Sequence, residues 1–214
     1  MPHQQKRQFL AVLFADIQGY TALMQRDEEK GRLVLRNFKE ILTNNIAQFQ
    51  GKVINFYGDG CLCTFENPIN AANCAAVLQK NFKAATPTTS VRIGLHQGNV
   101  GFEDGNAYGD AVNIASRIES FGIPGSVLIS NKFKTEIADK TPYKAIRLGA
   151  FQFKNIDKPM QVYALQGEGL IIPNKKDLTG KGKLIPSTVS KVKKWALGGL
   201  VILVLGLVRF FSPF

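Results

Sequence analysis

Thirteen residues, Val53 to Phe65, limit the folds open to this chain more than any other segment. They read Val-Ile-Asn-Phe-Tyr-Gly-Asp-Gly-Cys-Leu-Cys-Thr-Phe, two short apolar runs on either side of Gly58-Asp59-Gly60. This pattern predicts a β-hairpin with a tight turn, because glycine adopts the positive φ angles that such a turn requires. Asp59 is then the single charged side chain at the tip of an otherwise apolar ribbon.

A second carboxylate ends another apolar run. Residues 9–15, Phe-Leu-Ala-Val-Leu-Phe-Ala, predict a buried strand, and Asp16 and Gly19 follow it. If this strand lies beside the hairpin, Asp16 and Asp59 converge, and two carboxylates converge stably around a cation. The alternative for each aspartate taken alone is the commoner one, a cap on a turn or on a helix.

The order of the predicted elements indicates the fold class. Apolar residues recur at helical spacing from 21 to 49, and Gly51 stands where a helix-ending glycine is common. After the hairpin, Pro68 begins a second helix that runs through Phe82, and a strand follows over residues 91–100. Strand, helix, hairpin, helix and strand in this order predict an α+β fold with a ferredoxin-like βαββαβ core.

The second half of the domain adds strands and helices to that core. We predict a loop over 101–109, a helix over 110–121, a strand over 127–130, a short helix over 132–138, and strands over 146–153 and 160–165. The predicted domain therefore covers residues 1–167.

The C-terminal residues differ in composition from the rest of the chain. Residues 168–194 are rich in Gly, Lys, Pro, Ser and Thr, which predicts a basic linker. Residues 195–214 begin with fourteen uncharged residues and are predicted to form a hydrophobic helix that anchors the chain in a membrane. The lysines before Trp195 predict a cytoplasmic domain tethered to the inner face of the cell membrane. The alternative is a soluble helix packed on the domain, although the segment offers no polar face.

The formal net charge of +11 does not predict a nucleic-acid-binding protein. From residue 168 onward there are eight Lys or Arg and two acidic residues, so more than half of the excess lies in the tail. The preceding residues carry no arginine-rich stripe with interleaved aromatic side chains. Three cysteines and two histidines are too few for a disulfide framework or a zinc site, which favours a reducing compartment.

A third group of polar residues lies on the helix predicted over 110–121. Asn113 and Arg117 are four residues apart and share one helix face. Arg117 can present a cationic fork to phosphate, and Asn113 can hydrogen-bond a sugar. Together with two carboxylates for metal, these groups suit phosphoryl transfer. Alternatively, Arg117 is an ion-pair partner of Glu119 or Asp110, and Asn113 is a packing amide.

At four places the sequence resembles the class III nucleotidyl cyclases. Residues 14–21, Phe-Ala-Asp-Ile-Gln-Gly-Tyr-Thr, are similar to the first metal motif of that family, and Gly58-Asp59-Gly60 is similar to the second. Residues 112–117, Val-Asn-Ile-Ala-Ser-Arg, resemble its transition-state motif, and residues 153–163 resemble its last hairpin. The resemblance covers residues 8–166, with the motifs in the family's order and spacing.

The resemblance implies a reaction in which the ribose 3′-hydroxyl of a nucleoside triphosphate attacks the α-phosphorus and expels pyrophosphate. It implies two Mg²⁺ or Mn²⁺ per site. The residues that it implies as metal ligands are Asp16, Ile17 and Asp59. Backbone N–H groups of residues 17–21 are implied to surround the β- and γ-phosphates, with Gly19, Tyr20 and Thr21 as the phosphate-binding residues.

The remaining roles also follow from the resemblance. Arg117 is implied to neutralise charge on the α-phosphate, Asn113 to position the ribose, and Lys154 or Lys158 to contact phosphate. The metal-binding half and the Asn/Arg half come from different subunits in this family. The resemblance therefore implies a homodimer with shared active sites.

The sequence departs from the family at the positions that select the base. The family selects adenine with a Lys four residues before the hairpin Asp and an Asp seven residues before the helical Asn, where this chain has Asn55 and Asn106. This departure resembles the bacterial pyrimidine cyclases of antiphage signalling, which make cyclic UMP or cyclic CMP. The alternatives are an adenylate cyclase that makes cyclic AMP, and a degenerate domain that binds a nucleotide or a partner without catalysis.

Overall fold

The structure, a computed structural model, describes residues 7–153, 156, 158–178 and 182–185. The strands of these residues are β1 (Gln8–Ile17), β2 (Gly51–Tyr57), β3 (Gly60–Phe65), β4 (Val91–Glu103), β5 (Asn106–Tyr108), β6 (Val127–Ser130), β7 (Lys144–Phe153), β8 (Met160–Gln166) and β9 (Gly182–Ile185). The α-helices are α1 (Tyr20–Arg26), α2 (Glu28–Gln48), α3 (Pro68–Ala84), α4 (Asp110–Glu119) and α5 (Asn131–Ile137).

The strands form one sheet in the order β2-β3-β1-β4-β6-β8-β7-β9, with β5 paired to β4 outside this path. In the first half, β1 lies antiparallel between β3 and β4, and β2 pairs with β3. This order, with helices between β1 and β2 and between β3 and β4, is the ferredoxin-like βαββαβ core that the sequence predicts. In the second half, α4, β6, α5, β7 and β8 lie within two residues of their predicted bounds, whereas β5 and β9 were not predicted.

The two faces of the sheet are covered by different helices. Odd-numbered residues of β1, such as Leu13, pack in a core with α2, α3 and α5. Even-numbered residues such as Val12 pack in a second core with Ala111 and Ala115 of α4. Because successive side chains of a strand point to opposite faces, Asp16 lies on the α4 face of the sheet.

The helix predicted from 21 to 49 is two helices. Asp27 has an extended backbone (φ −156°), and its side chain accepts a hydrogen bond from the Lys30 N–H, which makes it the N-terminal cap of α2. Gly51 does not end this helix, since the positive φ belongs to Gln50 (59°). Gly51 begins β2 instead, where a Cβ would come within 2.4 Å of the Phe65 ring.

The loop predicted over 101–109 is also wrong in part. Strand β4 continues to Glu103, and a turn at Asp104 and Gly105 leads into β5, so these residues form a second hairpin. Both turn residues have positive φ, 49° and 77°. Asn106 therefore has a fixed place at the start of a strand.

Part of the segment that composition predicts as a linker packs on the domain. The Ile171 N–H donates to the Gly125 carbonyl, and Ile172 and Leu178 pack against a cluster that contains Phe121. Strand β9 lies next to β7 at the edge of the sheet. The predicted anchor, 195–214, lies outside the described residues, and no helix in the described part is long and apolar enough to span a bilayer.

His96 of β4 is 5% exposed, and its Nδ1 lies 2.7 Å from the Ser130 Oγ. Burial, with the charge of Lys132 as the smaller cause, lowers the pKa of His96 to about 4. The unfolded chain, whose histidines have a pKa of about 6.5, therefore takes up the proton first as the pH falls. The stability that the fold has with a neutral His96 is therefore complete above the pKa of the unfolded state, and it is lost as the pH falls toward the pKa of the folded state.

We expect the difference between the folded and unfolded pKa of His96 to lower the free energy of unfolding by about 2 kcal/mol as the pH falls from about 7.5 to about 5. Urea titrations of the wild type and of a His96→Gln variant at both pH values measure it. The variant lacks the titrating ring, so it should lose that share of the pH dependence. Equal pH dependence in the two proteins would contradict the assignment.

Candidate active site

The strand register places two rows of side chains on the α4 face, at the end of the sheet where β1 ends. Residues directly opposite each other in antiparallel strands share a face, so the pairings of β2, β3, β1 and β4 define each row. The first row is Tyr57, Gly60, Asp16 and Arg92. The second row is Asn55, Leu62, Phe14 and Gly94.

The structure brings Asp16 and Asp59 to one place. Asp16 stands opposite Gly60, the residue after Asp59, and the Ile17 N–H donates to the Asp59 carbonyl at 3.1 Å. Both carboxylates are half-buried. The hairpin turn and the end of β1 are therefore held together by the backbone, which fixes the positions of both acids.

Arg92, which the sequence analysis does not single out, lies opposite Asp16 on β4. Its Nη2 is 2.6 Å from the Asp16 Oδ2, and its Nε is 2.9 Å from an oxygen of Glu119, the last residue of α4. The positive charge of Arg92 thus partly balances the negative charges of Asp16 and Glu119 in the same chain. The sequence feature that could have identified Arg92 is its position as a charged residue between the apolar residues Val91 and Ile93 of a predicted strand.

Asn55 and Asn106 contact each other although they are far apart in sequence. The Asn55 Nδ2 donates to the Asn106 Oδ1 at 3.1 Å. A β-bulge between Val53 and Asn55 makes this possible, because it shifts the register so that Asn55 stands opposite Leu62 on the α4 face. Strict alternation from Val53, which packs on the opposite face, would have turned Asn55 away from this site.

An aromatic pair that sequence reasoning missed lies in the same rows. The rings of Phe14 and Tyr57 stack with centroids 6.3 Å apart and an interplanar angle of 11°. Tyr57 is 47% exposed, which is unusual for so large an apolar ring. Tyr57 lies in the same row as Asp16 and Phe14 in the next row, and this partly exposed stacked pair offers a flat surface to a planar ring of a ligand.

Asn113 and Arg117 share a helix face, as predicted, and that face is turned away from their own sheet. The buried residues of α4 are Ala111, Ala115, Ile118 and Glu119. Asn113 is exposed and Arg117 half-buried, each two positions from a buried residue and so on the far side of the helix. Glu119, one predicted alternative partner of Arg117, forms its ion pair with Arg92.

The segment predicted to bind phosphate is only partly available. The Ile17 N–H donates to the Asp59 carbonyl, and the Gln18 N–H donates to the Ser90 carbonyl. The remaining predicted groups, Gly19, Tyr20 and Thr21, stand at the start of α1, where backbone N–H groups have no partner inside the helix.

The two predicted lysines fall between β7 and β8 in the sequence. Lys158 is exposed there, three strands away from β1 in the sheet order. Lys154 lies outside the described residues. Lys158 is therefore not beside Asp16 of the same chain.

The donor set at Asp16 and Asp59 fits a hard divalent cation. Among the described residues there is no cluster of three or more His, Cys, Asp or Glu side chains that could hold a metal. Mg²⁺ does not need one, because it is bound by one or two carboxylates together with substrate phosphates. The Ile17 side chain is buried, so only its carbonyl could add a ligand. A Cβ at Gly60 would lie 3.5 Å from the Asp16 Oδ1, in ordinary van der Waals contact, so Gly60 borders the Asp16 carboxylate directly.

Comparison with known proteins identifies a family. The model of the family described as the adenylate and guanylate cyclase catalytic domain matches residues 2–167. A protein named putative adenylate cyclase 3, from Rhizobium meliloti, is 34% identical over 165 residues, which are 74% of this chain and 28% of that protein. The chain thus spans little more than a quarter of that relative.

Solved structures are similar in fold. A crystal structure titled adenylate/guanylate cyclase/hydrolase, from Silicibacter pomeroyi, matches with a TM-score of 0.70 and 30% identity, over 76% of this chain and 99% of that one. The adenylyl cyclase CyaB of P. aeruginosa also has a TM-score of 0.70, over 76% of this chain and 96% of that one. Its identity is 23%, so it supports the fold alone.

Proposed function

This chain belongs to the family of adenylate and guanylate cyclase catalytic domains, and from that membership we propose that it converts a nucleoside triphosphate into a 3′,5′-cyclic nucleotide and pyrophosphate. The observation that carries the proposal is the backbone bridge between the two acids. The Ile17 N–H donates to the Asp59 carbonyl at 3.1 Å, beside Asp16. Two half-buried carboxylates held this way form an oxygen-donor site for divalent cations.

In this mechanism the chain supplies binding, orientation and charge. Asp16, Asp59 and the Ile17 carbonyl would hold two Mg²⁺ or Mn²⁺, which would supply Lewis-acid chemistry at the 3′-hydroxyl and the triphosphate. Gly19, Tyr20 and Thr21 present N–H groups to the terminal phosphates, and Lys154 or Lys158 of a second copy of the chain adds a further cation. The 3′-oxygen forms its bond to the α-phosphorus as the bond to pyrophosphate breaks, and the 3′-hydroxyl proton leaves to solvent.

Asn113 and Arg117 complete the site from a second copy of the chain. Asn113 positions the ribose, and Arg117 balances the charge that develops on the α-phosphate. The proposal of a homodimer with shared sites is supported by the direction of these side chains, which lie on the side of α4 opposite its buried residues. In a monomer, Asn113 and Arg117 would not reach the metal-binding residues Asp16 and Asp59.

For the base we propose a pyrimidine, so that the product is cyclic UMP or cyclic CMP. The support is chemical: the contacting amides of Asn55 and Asn106 carry no charge, whereas purine-selecting cyclases place charged groups there. The aromatic pair of Phe14 and Tyr57 offers a surface on which a base can stack. Cyclic AMP is the second candidate, because two curated relatives bear adenylate cyclase names.

The test incubates the 214-residue chain separately with ATP, GTP, CTP and UTP, with Mn²⁺ and with Mg²⁺, and identifies products by chromatography and mass. We expect a cyclic pyrimidine nucleotide to form at least about tenfold faster than any cyclic purine nucleotide. Cyclic AMP as the main product would replace the pyrimidine assignment with an adenylate cyclase. A folded dimer that gives no product from any nucleotide would overturn the enzyme proposal in favour of a binding module.

A paired substitution sharpens the base assignment. Asn55→Lys combined with Asn106→Asp introduces the two charged residues with which the family selects adenine, so ATP use should rise relative to UTP and CTP. Asn44→Lys on the exposed surface of α2 is the matched control for an added positive charge, and it should leave the preference unchanged. An unaltered base preference in the paired variant would mean that other groups read the base.

We also propose that residues 195–214 anchor the domain to the inner face of the membrane, and that the product acts as a second messenger in antiphage signalling. The first part is supported by the uncharged run after Trp195 and its basic flank. The second part follows from the pyrimidine assignment. Release of the chain from membranes by salt alone would contradict an apolar anchor.

A further inference from the structure

One arginine is shared by two acidic side chains at the proposed metal site. The Glu119 side chain is 7% exposed, and its Oε1 lies 2.9 Å from the Arg92 Nε. The same guanidinium contacts the Asp16 Oδ2 through its Nη2, at 2.6 Å. Glutamate is almost never buried this deeply unless it is paired. The ion pair with Arg92 therefore compensates the buried charge of Glu119.

We infer that Glu119 is a positioning residue that holds Arg92 and thereby sets how strongly Asp16 binds a divalent cation. The inference deepens the proposed function and rests on it, since it assumes that Asp16 is a metal ligand. It concerns a residue that stands on α4, outside the two metal motifs of the sequence.

The geometry limits where the guanidinium can go. The Arg92 Nε forms an ion pair with Glu119, and the Arg92 Nη1 donates to the Ser120 carbonyl at 3.4 Å. Both contacts come from the C-terminal end of α4, and the third comes from Asp16. Because the guanidinium is a rigid planar fork, fixing the α4 side also fixes the nitrogen that faces Asp16.

The charges of the three groups then predict the effect on a cation. Glu119 balances the charge of Arg92, so the carboxylate of Asp16 keeps an excess of negative charge for a metal. Without the charge of Glu119, Arg92 alone balances Asp16 and repels the incoming cation. Removing the charges of Arg92 and Glu119 together returns the local net charge to that of the wild type.

The test measures Mn²⁺ binding to the 214-residue chain by electron paramagnetic resonance, without nucleotide. Glu119→Gln should weaken the Asp16-dependent Mn²⁺ site by about tenfold, and Arg92→Gln combined with Glu119→Gln should return it to within about threefold of wild type. Glu40→Gln removes the same charge from the exposed surface of α2 and should leave Mn²⁺ affinity unchanged. Asp16→Asn identifies the site by abolishing it.

Three results would overturn the inference. Wild-type affinity in Glu119→Gln would mean that Arg92 does not need Glu119. A double variant that binds Mn²⁺ more weakly than Glu119→Gln would indicate a purely structural role, because packing defects add while charges cancel. Wild-type protein without any Asp16-dependent Mn²⁺ binding would overturn it together with the metal proposal. Failure of the cyclase assay alone, with the charge pattern intact, would leave this inference standing and refute only the catalytic proposal.

Discussion

Asp59→Ala and Arg117→Ala are each expected to lower cyclase activity by about a thousandfold or more, because one removes a metal ligand and the other the α-phosphate cation. Mixed in equal amounts under conditions that allow subunit exchange, they should regain about a quarter of wild-type activity. Random pairing makes half of the dimers mixed, and each mixed dimer has one site with both lesions and one site with none. The rate of product formation after exchange measures the recovery.

The matched control is a mixture of Asp59→Ala with Asp16→Ala. Both lesions lie in the metal half, at adjacent places in the same chain. Every site in every possible dimer then lacks one carboxylate, so no activity should return. Recovery in neither mixture, with exchange verified by differently labelled subunits, would argue that each chain builds its whole site alone.

Gly94→Ala is expected to have the largest effect on stability. A Cβ at residue 94 would lie 2.4 Å from the Glu119 nitrogen, 2.6 Å from the Ala115 oxygen and 2.7 Å from the Glu119 Cα, all of them backbone atoms of α4. Backbone cannot move aside as a side-chain end can, so the helix must lift from β4. We expect a loss of about 3 kcal/mol or more in the free energy of unfolding, measured by urea titration.

Gly31→Ala is the control for the same substitution. Its Cβ would first meet the Met24 Sδ, at 2.4 Å, and that atom is the far part of a flexible side chain. Alanine is also the better helix former in α2, so the variant should be within about 1 kcal/mol of wild type or more stable. If Gly94→Ala were as stable as Gly31→Ala, α4 could not be packed on β4 as closely as described.

The sequence determined the core of the fold and the residues that carry the proposed chemistry. Alternating and helical apolar patterns are local, so they predicted the hairpin, the strand that ends at Asp16, and the βαββαβ order. The Gly-Asp-Gly turn was equally readable, because the positive φ of Gly58 (64°) is a property of two or three residues. The face shared by Asn113 and Arg117 followed from their spacing alone.

Some local features were decided by contacts that no pattern displays. Asp27 is a residue type that commonly caps the start of a helix, but the apolar spacing continues across it and predicts a single helix. Gly51 resembles a helix end, yet it is glycine because the Phe65 ring occupies the space of a Cβ. Apolar side chains of residues 168–178 pack on the domain although their composition is that of a linker.

Only the tertiary structure decided which distant residues meet at the site. The bulge in β2 turns Asn55 to the α4 face, and the hairpin of β4 and β5 brings Asn106 to it. The register of β1 and β4 sets Arg92 opposite Asp16, and the close approach of α4 over Gly94 brings Glu119 to that arginine. Strand register and the approach of a helix to a sheet depend on long-range packing. The sequence therefore predicts which charged and polar residues belong to the site, while the assembled sheet determines which of them form ion pairs with one another.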